Sequence, residues 1–246
     1  MTQAEDGYDV IIAGGGPAGL TAGLYAARAR MKALLIERMM TGGQVATTFT
    51  VENYPGFPDG ISGPELAEAM EKQARKFGLE IATGEIQGVA RRGSLWEAAV
   101  GERTISARAL IAASGVESRK LGIPGEEELR GRGVSYCGTC DGPFFRDKEI
   151  GVVGGGDSAV DEAIYLTRFA SKVYLIHRRN ALRAEKIIQE RAFQNPKIQI
   201  LWDTIVTKVI GDSAVEGLEL IDLKSREVRN LDVGGVFFYV GLLPKS

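Results

Sequence analysis

Cys137 and Cys140, in the stretch "GVSYCGTCDGPFF" at residues 133–145, are the only two cysteines among 246 residues, and two residues separate them. A structural zinc site asks for four nitrogen or sulfur ligands. This sequence offers one histidine, His177, far along the chain, so a metal clip fails on ligand number. A disulfide closing so short a loop removes little entropy from the unfolded chain, so a staple is a weak reading. What remains is thiol–disulfide exchange, for which the Cys-x-x-Cys spacing lowers the thiol pKa. An incidental pair is the alternative. A redox pair needs a source of electrons, and the elements around it must supply one.

An internal repeat meets that need. Residues 9–38, "DVIIAGGGPAGLTAGLYAARARMKALLIER", align without a gap on residues 149–178, "EIGVVGGGDSAVDEAIYLTRFASKVYLIHR". Each copy has an apolar β-branched run, a glycine turn, a helical pattern and a second apolar run. That is the strand–turn–helix–strand unit of a dinucleotide-binding fold. One G-x-G-x-x-G is a weak signal, whereas two in the full setting are strong. In the first copy Gly14, Gly15, Gly16, Pro17, Ala18 and Gly19 form the turn, with Gly14 for the sharp bend, Gly16 for approach of a pyrophosphate and Gly19 for close helix packing. In the second, Gly154 and Gly156 take the first two roles and Ala159 the third, with Asp157 and Ser158 opening the helix. Free N–H groups and the helix dipole face the phosphates in both.

The copies differ where the ribose should lie. The second strand of the first copy ends in Glu37, an acceptor suited to ribose hydroxyls. The second copy has "IHRRNALR" there, with His177, Arg178, Arg179 and Arg183. Arginines match a ribose 2′-phosphate in charge and geometry, so this site is expected to take NADP(H), with His177 in a supporting role. A solvated basic turn is the alternative. Hydride arrives as two electrons together and a disulfide is attacked by an electron pair, so the Glu37 site is expected to hold FAD as the intermediary. This follows from electron bookkeeping, since the fingerprint itself does not separate FAD from NAD.

Composition sets the limits. A hydrophobic fraction of 44% and a charged fraction of 25% are ordinary for a soluble globular protein of one large domain or two small ones, and the net charge of −2 gives no reason to expect nucleic acid or an anionic membrane as partner. No apolar run approaches the ~18 residues of a membrane span. The start, "MTQAEDGYD", has no basic-then-apolar signal, so the expected location is cytoplasmic, where disulfides tend to be catalytic.

The motifs "GGGPAGLTAGLYAARA", "TGGQ", "VENYPG", "CGTCDG", "GGGDSA" and "HRRNALRAEK" fall in the order and spacing of the low-molecular-weight thioredoxin reductases, and the chain resembles that family over essentially its whole length. The resemblance implies an α/β fold of two Rossmann-like three-layer dinucleotide-binding domains, each with a small accessory β-sheet. It implies an FAD domain at 1–117, an inserted NADPH domain with the cysteine pair at 118–242, and a return to the FAD domain at 243–246. Gly42, Gly43, Gln44 and Asn53 look like flavin contacts, Cys137 and Cys140 like the redox pair, with Cys140 nearer the flavin, and Asp141 like the acid that manages protons during dithiol formation. Asp141 also reads as a helix-start or turn residue. The implied partner is thioredoxin or a thioredoxin-like protein, the implied assembly a homodimer, and the implied motion a rotation that brings the cysteines and the nicotinamide to the flavin in turn. Family chains continue past "FFYVGLLPKS" with a segment that contacts the flavin, so flavin is expected to be held weakly by these 246 residues.

The remaining pattern fits this layout. Residues 64–78 read as a helix with a proline start and a glycine stop, and "EKIIQERAFQNP" as another. Residues 80–111 read as short strands in a small sheet outside the nucleotide units, and 198–239 as strand-rich. Two other functions stay open on these residues: a flavin-dependent dithiol oxidase, against which the arginines argue, and a non-catalytic nucleotide-binding fragment.

Overall fold

The computed structural model describes residues 7–245. The chain divides into two compact units, Met1–Val116 with Pro244–Ser246, and Glu117–Leu243.

In the first unit, β1 (Tyr8–Ala13), α1 (Pro17–Arg28) and β2 (Ala33–Glu37) form the βαβ unit read from the sequence. Parallel strands need such a crossover, because a tight turn cannot join them. A 3-10 turn (Gly43–Thr47) leads to α2 (Gly63–Lys76), whose start is fixed by a capping box: Glu65 N–H donates to Ser62 Oγ, and Ser62 N–H donates to the Glu65 carboxylate. Then come β3 (Glu80–Thr83), β4 (Ile86–Arg92), β5 (Leu95–Val100) and β6 (Arg103–Ala112), giving one six-stranded sheet of order β3-β2-β1-β6-β5-β4. Residues 80–111 are therefore not a detached sheet. β3 pairs with β2 inside the nucleotide unit. β6 is long enough to serve twice: its first half pairs antiparallel with β5, from Val100↔Arg103 to Trp96↔Ala107, and its second half pairs parallel with β1, from Tyr8↔Ala107 to Ala13↔Ala112. Alternation along β1 separates the layers. Val10 and Ile12 pack with Leu20, Ala26 and Ala74 of the helices, while Ile11 packs with Ala98 and Ile105 of the antiparallel strands.

The second unit repeats the plan. β7 (Val116–Ser118) leads in, followed by β8 (Val134–Ser135), the short α3 (Gly138–Asp141) and a 3-10 turn (Gly142–Phe145). The second βαβ unit is β9 (Glu149–Gly154), α4 (Asp157–Leu166) and β10 (Lys172–Ile176). After α5 (Lys186–Gln194) come β11 (Ile198–Leu201), β12 (Thr204–Ile210), β13 (Gly217–Asp222), β14 (Val228–Asp232), β15 (Val236–Tyr239) and β16 (Leu242–Pro244). The parallel sheet runs β11-β10-β9-β15-β8, and β12-β13-β14 form an antiparallel sheet. Ile150 and Val152 face the helices with Val160, Ala163 and Leu166, while Val153, Ile176 and Phe238 face the antiparallel sheet with Leu218 and Leu220. Each parallel sheet thus lies between helices and antiparallel strands, which is the three-layer plan with accessory β-structure.

Candidate functional site

The cysteines sit where β8 ends and α3 begins. Ser135, on the last residue of β8 and buried, accepts from Cys137 N–H at 3.0 Å and donates to Cys137 O at 3.3 Å, which fixes the strand-to-helix bend. Cys137 and Cys140 form a disulfide with a Cα–Cα distance of 5.3 Å. Cys137 caps α3, its Sγ accepting Cys140 N–H at 3.2 Å and lying 3.4 Å from Thr139 Oγ1. In the dithiol the same N–H is placed to support negative charge on sulfur. Cys140 is exposed and Cys137 half-buried. Asp141 follows directly, its N–H donating to Cys137 O at 3.2 Å. It precedes the 3-10 turn, yet its side chain makes no capping hydrogen bond there.

In the same unit, the second glycine turn closes on its own loop. Gly154 takes φ +155°, and a Cβ there would lie 2.5 Å from Ala159 Cβ, so the turn and α4 touch at the position read as the third glycine role. Arg183 N–H donates to Gly155 O, and Glu185 N–H donates to Asp157 Oδ1, each at 2.7 Å. These two bonds draw the arginine loop over the turn and bring Arg183 Nη2 to 4.0 Å from where a Gly156 Cβ would be. Asp157 therefore has a structural task in addition to the cofactor contact expected of it. Arg178, Arg179 and Arg183 are exposed, and among the described residues no carboxylate is paired with them. His177 is only 5% exposed, with Nε2 3.0 Å from Ala181 O and its ring packed on Gly155 and edge-on to Trp202. Burial, first of all, holds its pKa below the ordinary histidine value, so it is a neutral packing residue that positions the arginines. Ser158 is exposed at the start of α4.

The first unit builds its turn by the same geometry with different side chains. Gly14 takes φ +108°, and a Cβ on Gly19 would lie 1.9 Å from Gly14 O, so only glycine permits this helix–strand approach. Glu37 occupies the place of His177: its Oε2 accepts Gly15 N–H at 2.7 Å and its Oε1 accepts Met39 N–H at 3.3 Å. Gly42 donates to Gly15 O at 2.8 Å, and Gly43 lies against Gly16, so the "TGGQ" loop is stacked on the turn as one cradle with Pro17 and Ala18 at its helix start. Gln44 Nε2 reaches Val116 O at 3.5 Å, and Asn53 is exposed on the loop before α2. Both turns present glycine surfaces that a Cβ would fill and helix N-termini without side-chain caps, which fits a pyrophosphate in each.

Residues 8–246 match the family model for "Pyridine nucleotide-disulphide oxidoreductase". The chain belongs to that family. Thioredoxin reductases from Listeria monocytogenes and Bacillus subtilis are 50% and 51% identical to it over 99% and 97% of its length, and it spans 76% of each. The crystal structure of Lactococcus lactis thioredoxin reductase superposes with a TM-score of 0.95 at 47% identity, over 97% of this chain and 78% of that one. The crystal structure of T. acidophilum thioredoxin reductase gives a TM-score of 0.93 at 31% identity, over 98% of this chain and 79% of that one. Within the family, then, this chain stands among the thioredoxin reductases.

Three features of the site were not visible in the sequence. Glu126, from the acidic run "GEEEL", is 2% exposed: it accepts N–H groups from Leu121, Gly122 and Ile123 and the Tyr136 hydroxyl at 2.7 Å, which anchors the residue before Cys137. Phe144, four residues past Cys140 in the sequence, is 75% exposed. Beneath the pair, Tyr239 accepts Gly138 N–H at 2.8 Å and donates to the Glu162 carboxylate. Only long-range packing brings these residues together. Among the described residues, no helix is long and apolar enough to cross a membrane.

Proposed function

We propose that the chain catalyses NADPH-dependent reduction of the disulfide of thioredoxin or a thioredoxin-like protein, with FAD held by the first unit and NADPH by the second. The observation that carries this reading is a solvent-facing Cys137–Cys140 disulfide in the same unit as an arginine-lined glycine turn. Bound FAD supplies the carrier that takes two electrons as hydride and passes them to the disulfide. The chain's own residues do the rest. Arg178, Arg179 and Arg183 hold the nucleotide 2′-phosphate, and Gly154 and Gly156 admit its pyrophosphate. Gly14, Gly15, Gly16, Gly19, Gly42 and Gly43 cradle the other dinucleotide, with Gln44 and Asn53 beside it.

Reduction breaks the Cys137–Cys140 bond and takes up two electrons and two protons, and Asp141, next in sequence to Cys140, is the group assigned here to deliver and remove those protons. A thiolate then attacks the partner's disulfide, and the second thiol displaces it, so that NADPH, one proton and the partner disulfide give NADP+ and the partner dithiol. The exposed Phe144, four residues past Cys140 in the sequence, offers an apolar contact for a protein partner. The net charge of −2 favours a protein partner over nucleic acid. Cytoplasmic location and homodimeric assembly, as the resemblance of the sequence motifs to the family implies, complete the reading. The oxidase alternative has no use for three unpaired arginines at the ribose position.

The test is an NADPH oxidation assay with added FAD and an oxidised thioredoxin. Activity is expected for the wild-type chain and none for the double variant Cys137→Ser, Cys140→Ser. Turnover by the double variant would remove the cysteines from the mechanism.

A further inference from the structure

Glu162 lies on α4, one turn past Ala159, and points at α3. Its Oε2 is 2.1 Å from where a Cβ on Gly138 would stand, so the glycine between the cysteines leaves room for a carboxylate under the turn. Oε2 is buried and has no hydrogen-bond partner among the described residues. The carboxylate is held by the Tyr239 hydroxyl, which in turn holds Gly138 N–H. A chain of contacts therefore runs from a buried acid to the backbone of the redox turn.

Among the described residues, the titratable groups that act on Glu162 are Asp161 on α4 and Tyr239 on β15; Asp141 of α3 acts on Tyr239, and the cysteines flank Gly138. Burial first, and Asp161 second, push the Glu162 carboxyl up to about 7. Burial and the facing carboxylate hold the Tyr239 phenol far above its ordinary value, so it stays a neutral donor.

We propose that Glu162 is a positioning residue for the Cys137–Cys140 couple, whose ionisation and thiolate formation at the turn oppose one another. Neutral Glu162 leaves the turn free to hold a thiolate. Ionised Glu162 places an uncompensated negative charge under Gly138, where water screens it poorly, and so disfavours a second negative charge on sulfur. When two electrons break the disulfide, one sulfur takes a proton and the other becomes a thiolate. Glu162 then takes the second proton, so that two protons are bound for two electrons. The electrons are those the reductase activity already delivers. The inference rests on the cysteine pair being the redox couple.

The experiment needs neither nucleotide nor partner protein, so its failure is separable from failure of the reductase reading. The 246-residue chain is reduced with dithiothreitol, freed of reductant, and alkylated with iodoacetamide from pH 5.5 to 9.5. Only two cysteines are present, so the modification reports this turn alone. Glu162→Gln, which keeps the size and the acceptor for Tyr239, is expected to raise the thiolate fraction about tenfold near pH 7.5, a shift of about 30 mV in the couple. Asp161→Asn, an exposed neighbour on the same helix, is expected to change it far less. A Glu162→Gln profile that overlays the wild type would overturn the proposal. A 13C carboxyl titration of the wild-type chain requires no variant: Glu162 is expected to titrate at higher pH in the reduced than in the oxidised chain. Equal midpoints in the two states would overturn it as well.

Discussion

Replacing Arg178 and Arg179 with alanine together is the sharpest probe of the second glycine turn. Both side chains are exposed and make no ion pair among the described residues, so binding a 2′-phosphate breaks no existing bridge. A hydrogen bond to a charged group contributes about 1.5–3 kcal/mol. Solvent access at this position favours the lower end, so two lost contacts cost about 3 kcal/mol, or about a hundredfold in Kd for NADPH. NADH carries no 2′-phosphate and is expected to change by less than about twofold. The NADPH penalty is also expected to shrink with added salt, since exposed charges are screened within about 10 Å at 0.1 M. Calorimetric titration of both nucleotides into wild-type and variant chains gives the four constants needed. His177 is packed between the turn and Ala181, so a variant that disturbed the loop would weaken both nucleotides alike. Equal losses for NADPH and NADH would refute the assignment of these arginines to the phosphate.

Asp141→Asn keeps the backbone bond to Cys137 and removes the ionisable group; we expect disulfide reduction to slow by about 10²–10³-fold, within the range of general acid–base catalysis, with NADPH affinity unchanged. Gly19→Ala forces a Cβ to 1.9 Å from Gly14 O, and a loss of about 3 kcal/mol is expected in denaturant unfolding, whereas Gly88→Ala, with nothing within 4 Å, is expected to be neutral. Glu162 is an acid whose pKa is raised from 4.5 to about 7, so the folded state binds more protons and stability falls as pH rises across that window. Glu162→Gln is therefore expected to gain up to about 3 kcal/mol over wild type at pH 8 and little at pH 4; a pH-independent difference would refute it.

The fold was legible because both nucleotide units announce themselves locally. Apolar runs, glycine turns and helical periodicity sit within 30 residues in each copy, and the forces that shape a βαβ unit act over that distance. The accessory strands were less legible. β6 lies in a stretch that reads as short strands, but it is one strand whose two halves belong to different pairings, with β5 and with β1, and only the register of both partners reveals it. The glutamates show the limit most clearly. Glu126 and Glu162 look like solvated charges in acidic stretches, yet one is buried under three N–H groups and a phenol, and the other lies under the redox turn.

Comparison of the two turns explains why one scaffold is read for two carriers. In each, the side chain at the end of the second strand leans on the middle glycine: a Cβ on Gly15 would meet Glu37 Cβ at 3.0 Å, and a Cβ on Gly155 would meet His177 Cε1 at 2.3 Å. The middle glycine is thus required by the strand-end side chain, whichever it is. The consequences then diverge. Glu37 spends one oxygen on Gly15 N–H and keeps a carboxylate at the strand end, which suits hydroxyls and repels a phosphate. His177 is neutral and buried, bonds to the loop at Ala181, and leaves the next positions to arginine, which suits a phosphate and gains nothing from a bare hydroxyl. Exchanging Glu37 for histidine alone would therefore not convert the first site, because the "TGGQ" loop held over its turn by Gly42 N–H carries no arginine, whereas the loop held over the second turn brings Arg183.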